Sequence, residues 1–157
     1  MTTQDAAEVL ALFTAPAAGQ AMEPHQSVEV VAGLGIPGDR YATRLGHWSD
    51  PRWKDQELTF VAMELLDELG LEPSALRRNI VTHHVDLLDL IGLEFTIGTA
   101  RLAGRRQCSP CGYIERLTRP GLFGELDGRG GLRATILESG SITIGDEVRI
   151  LGLAAES

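Results

Sequence analysis

The sequence predicts a mainly β domain with a few short helices, curled into a closed or nearly closed β-barrel. Three observations predict it. Eighteen glycines punctuate a chain of 157 residues, the pattern of many short strands joined by tight turns. Between them lie short runs rich in valine, isoleucine, threonine and phenylalanine, the composition of half-buried strands. Helical spacing is confined to two or three brief segments, too few to cover both faces of a parallel sheet. A chain of this length is expected to be one domain, residues 1–157, with a core of its own.

Taken in order, 5–13 carries both helix-compatible and strand-compatible residues, and its periodicity does not choose between them. Pro16, Gly19 and Pro24 mark a loop, and Ser27 to Ala32 alternates around Val28 and Val30 as a strand. Gly33-Leu34-Gly35-Ile36-Pro37-Gly38-Asp39-Arg40-Tyr41 follows, a tight connection in which backbone can approach a ligand closely. Residues 42–56, with His47, Trp48 and Trp53, read as an irregular loop. Glu57 to Val61 is a strand and Ala62 to Leu69 a helix with Met63, Leu66 and Leu69 inward, stopped by Gly70. Asn79 to Thr82 starts a strand with Arg77 and Arg78 at its mouth, and Leu87 to Ile91 is a helical turn ending at Gly92. Glu94 to Gly98 and Ala100 to Ala103 form two strands around a glycine turn. Tyr113 to Leu117 reads as helix, 126–131 as a glycine-rich turn, and strands over 132–138, 141–144 and 147–151 complete the chain.

The chemistry-bearing stretch is Gly104 to Ile114. It holds both cysteines of the chain, Cys108 and Cys111, directly after Arg105-Arg106 and at a strand-to-helix junction. Guanidinium charge beside a partly exposed thiol favours the thiolate, the form that binds soft metals or carries sulfur. Cysteine pairs at this spacing also serve redox motifs, half zinc sites and ordinary buried packing, and the spacing alone leaves these open. The net charge of −8 argues against a broad nucleic-acid surface. The chain shows no apolar run of membrane-spanning length and no basic leader, so a cytoplasmic protein without membrane association is expected. Thirteen of the fourteen basic residues are arginine, with Lys54 the exception; arginine suits bidentate recognition of phosphate and carboxylate.

Five motifs together, Gly-Leu-Gly-Ile-Pro-Gly-Asp-Arg-Tyr at 33–41, Arg-Arg-Asn-Ile at 77–80, Leu-Ile-Gly-x-x-Phe-x-Ile-Gly at 90–98, Cys-Ser-Pro-Cys at 108–111 and Gly-x-Ile-x-x-Gly-Asp-x-Val at 140–148, resemble the MOSC domain. This is the C-terminal domain of molybdenum-cofactor sulfurases, found also as small stand-alone bacterial proteins. The resemblance implies a β-barrel that binds the molybdenum-pterin cofactor or handles sulfur destined for a metal. It makes Cys111 the catalytic cysteine and metal ligand, and Arg40, Arg77, Asn79 and Ser109 the cofactor-binding residues. Cys108 is then a resolving thiol or a packing residue.

Two activities follow from the likeness: reduction of N-hydroxylated substrates, with a flavin or iron–sulfur partner as electron donor, or a sulfur carrier that passes a Cys111 persulfide between a sulfur donor and an acceptor protein. The chain has too few cysteines for a four-thiolate cluster of its own. Pyridoxal phosphate, which the large sulfurases use, is not expected here, because Lys54 is the one lysine and has no glycine frame. His83 and His84, adjacent on an extended segment, should point to opposite faces and so not join one zinc site. His47 in the tryptophan loop reads as an exposed loop histidine or a proton donor at a substrate rim.

Overall fold

The computed structural model describes residues 6–16, 21–39, 57–107 and 131–153. Ten strands appear among them: β1 (Glu8–Thr14), β2 (Glu23–His25), β3 (Ser27–Val30), β4 (Leu58–Ala62), β5 (Ile80–His83), β6 (Leu93–Ile97), β7 (Ala100–Gln107), β8 (Leu132–Glu138), β9 (Gly140–Thr143) and β10 (Val148–Leu153). One α-helix, α1 (Met63–Leu69), and one 3₁₀ turn, Leu87–Leu90, accompany them. Eight strands form a single sheet in the order β10-β6-β7-β8-β4-β5-β1-β2, and β3 pairs with β9 in a separate ribbon. The fold is mainly β, as the sequence predicts.

The sheet curls into a half-barrel rather than a fully closed one. At one end it closes on itself: Gly145 N donates to Val9 O at 2.8 Å, Val9 N to Asp146 O at 2.9 Å and Val148 N to Ala7 O at 2.8 Å. Beyond Val148, β10 keeps only β6 as a strand neighbour among the described residues, and Ile150, Leu151 and Leu153 are exposed. A bulge between Ile150 and Gly152 shifts its register against β6, which bends the strand.

The undecided N-terminal segment is a strand because its partners decide it: β1 lies between β2 and β5. β2 was expected to be loop, since it contains Pro24. Proline is tolerated there because β2 is an edge strand and needs to bond on one side only. Apolar alternation on the inner face of the sheet builds the main core, in which Phe60 and Phe95 meet edge-on with centroids 6.0 Å apart at 72°. On the other face Val61 and Val81 pack with Leu66 of α1 and with Leu76, a smaller cluster flanked by the half-buried Met63 and Leu69. Gly70 ends α1 in the left-handed conformation at φ 67°, as its place after the apolar run predicts.

One pairing positions the site. β4 and β5 run parallel, with Phe60 opposite Ile80 and Val61 opposite Val81, while every other strand pair in the sheet is antiparallel. α1 and the turn after it are the crossover that a parallel pair requires.

Candidate functional site

The crossover delivers Arg77, Arg78 and Asn79 to the amino end of β5, and all three are buried. Asn79 is fully inaccessible. Its Oδ1 accepts from Thr59 N at 3.1 Å and from Thr59 Oγ1 at 3.2 Å, and its Nδ2 donates to Phe13 O at 3.1 Å. Its backbone N–H donates to Thr59 Oγ1 at 3.1 Å, and its carbonyl accepts from Phe13 N at 2.8 Å. One side chain thus ties β1, β4 and β5 together. An amide has two acceptor lone pairs and two N–H donors, and the Asn79 side chain uses both acceptor sites and one donor on its strand neighbours.

Arg77 takes φ 58°, one of two non-glycine residues with positive φ among those described. Such a conformation costs an ordinary side chain about 1–2 kcal/mol. It is held there by the preceding turn, in which Arg77 N donates to Ser74 O at 3.0 Å. The twist turns the chain so that a buried arginine pair directly precedes a buried asparagine. Arg133 of β8 adds a third buried guanidinium: it lies opposite Thr59 on one side and Arg106 of β7 on the other. Directly opposed residues of antiparallel strands share a face, so Arg106, Arg133 and Thr59 form one row that Asn79 continues by hydrogen bonding. Three buried guanidinium groups, Arg77, Arg78 and Arg133, thus stand among the described residues beside the buried carboxylates of Asp39 and Glu57.

The segment that carries Cys108, Ser109 and Cys111 lies outside the described residues, as does Arg40, but the structure fixes where both begin. β7 ends at Gln107, opposite Leu132, which is opposite Phe60, which is opposite Ile80. Three strand spacings, about 14 Å, therefore separate the start of the cysteine segment from the start of β5. At the far end of that segment Gly131 takes φ +115°, and a Cβ placed there would lie 2.0 Å from Phe60 O and 3.6 Å from Arg78 Nε. The returning backbone is packed against the carbonyl of β4 and the Arg78 guanidinium, a closeness that only glycine permits. On the other side of Asn79, Asp39 is fully buried and its Oδ1 accepts from Ala15 N at 3.0 Å. Arg40 follows it directly, from a point anchored two residues beyond Phe13. Asp39 and Gly131, the described residues that border those two segments, therefore pack on the strands that Asn79 joins, Asp39 at β1 and Gly131 at β4.

The histidines behave differently from the alternation argument. His83 ends β5, but His84 takes φ 61° and leaves the extended conformation. The two rings stack with centroids 3.7 Å apart instead of pointing to opposite faces. His83 Nε2 meets Glu8 Oε1 at 2.7 Å. Among the described residues no group of three or more histidine, cysteine, aspartate or glutamate side chains is arranged to hold a metal ion, and no helix is long and apolar enough to cross a membrane. His47 and the two tryptophans lie outside the described residues. Arg133 was not singled out by sequence, and Arg106 only as a charge beside the cysteines; cross-strand register, which the sequence does not display, is what joins the two to Thr59 and Asn79.

The family model for the MOSC domain matches residues 53–149, more than half of the chain. Among solved structures, the YuaD protein of Bacillus subtilis is similar over 98% of this chain and 100% of its own length, with a TM-score of 0.76 at 18% identity. YiiM of Escherichia coli is similar over 95% of this chain and 72% of its own, with a TM-score of 0.66 at 15% identity. YiiM of Geobacillus stearothermophilus covers 92% of this chain and 75% of its own, with a TM-score of 0.64 at 14% identity. At these identities the structural likeness speaks for the fold. No curated protein sequence matches the chain.

Proposed function

We propose that this chain, which belongs to the MOSC domain family, binds a molybdenum-pterin cofactor, with Cys111 as the metal ligand. The observation that supports this reading is that Gly131, where the chain re-enters the sheet after the segment bearing Cys111, packs against Arg78 of the buried Arg77-Arg78-Asn79 stretch. The donor set fits such a group. Buried guanidinium groups suit a phosphate or other fixed anion, the remaining Asn79 N–H suits a carbonyl edge of a pterin, and a thiolate is a soft ligand for molybdenum. Arg77 and Asn79, with Arg40 and Ser109, would hold the organic part.

When bound, the cofactor would supply two-electron chemistry, which fits reduction of N-hydroxylated substrates, with electrons arriving from a separate flavin or iron–sulfur protein. The chain's own residues do the rest. The arginine row holds the anionic part by charge and fork geometry. The Asn79–Thr59 brace keeps the amino end of β5 fixed, so those arginines stay aimed at one place. Burial of Arg77, Arg78 and Arg133 keeps most water from their guanidinium groups, which strengthens each charge–charge contact.

The test is metal and pterin analysis of protein expressed with molybdate in a cofactor-competent host, beside Cys111→Ser. Stoichiometric molybdenum in the wild type and its loss in the variant is the expected result. A metal-free wild type whose Cys111 instead carries a sulfane adduct, transferable to an acceptor, would overturn it in favour of the sulfur-carrier activity.

A further inference from the structure

We draw no further inference here: the strongest candidate, the open edge of β10, where Ile150, Leu151 and Leu153 stand exposed beyond the bond from Val148 N to Ala7 O, carries nothing because nothing in the structure shows what covers it.

Discussion

Replacing Asn79 with alanine in the metal-free chain should destabilise the fold whether or not a cofactor ever meets this residue. The side chain makes three hydrogen bonds in a fully buried position: two accepted from Thr59 and one donated to Phe13 O. Each is worth about 1 kcal/mol net, and leaving a buried backbone N–H of Thr59 and the carbonyl of Phe13 without partners adds about 1–3 kcal/mol for each group that water cannot reach. With partial relaxation the total is about 3–5 kcal/mol, a large part of the 5–15 kcal/mol typical of a whole domain. With a urea slope of about 2 kcal/mol/M, the midpoint should fall by about 1.5–2.5 M. Thr59→Val removes the partner of the same network, so a double-mutant cycle should show a coupling of at least about 1 kcal/mol. A midpoint shift below about 0.5 M at unchanged slope, or additive single effects, would refute the brace. Asn79 would then be held in place for a ligand and not for the sheet.

Two further substitutions separate strain from function. Gly131→Ala drives a Cβ to 2.0 Å from Phe60 O at φ +115° and should cost about 2–4 kcal/mol by thermal unfolding. Gly33→Ala, at φ +79° with open space around it, should cost only about 1–2 kcal/mol; equal costs would mean that the packing against β4 is not what selects glycine at 131. Arg77→Gly relieves the left-handed backbone at φ 58° and should leave metal-free stability within about 1 kcal/mol while sharply lowering molybdenum content after expression with molybdate. A stability loss above about 3 kcal/mol in metal-free protein would make Arg77 a structural brace instead.

Most of the strand architecture was legible because it is written locally. Alternation marked β3, short strand-forming runs marked β4 and β8, Gly70 marked the end of α1, and Gly33 to Asp39 announced a tight turn that the backbone makes with three left-handed glycines. What was not legible depends on partners. β1 is a strand because β2 and β5 flank it, and Pro24 sits in a strand because that strand is an edge. The strand read over 100–103 was ended too early: β8 extends β7 through Arg105, Arg106 and Gln107. The stacked histidines were misjudged because the extended backbone on which the argument rested stops one residue earlier than the sequence suggests. Asn79 was read as a ligand contact from its motif, while its hydrogen bonds show it first as a cross-brace.

The single parallel pair explains why the site stands where it does. An antiparallel hairpin from β4 would have returned the chain at the carboxyl end of that strand, and a residue entering β5 would have met Ala62 rather than Thr59. A parallel partner forces the chain back along the whole length of the sheet, through α1 and the turn before Arg77, so that the motif enters from the amino end. There Thr59 can bond both the backbone and the side chain of Asn79, and Arg133 is brought opposite Thr59 from β8. The same crossover leaves α1 over the carboxyl ends of β4 and β5, where it forms one wall of a groove whose other wall is Val85 to Leu88. One topological choice therefore brings the arginine pair in at the amino end of β5 and α1 over its carboxyl end, with Gly131 packed between β4 and Arg78.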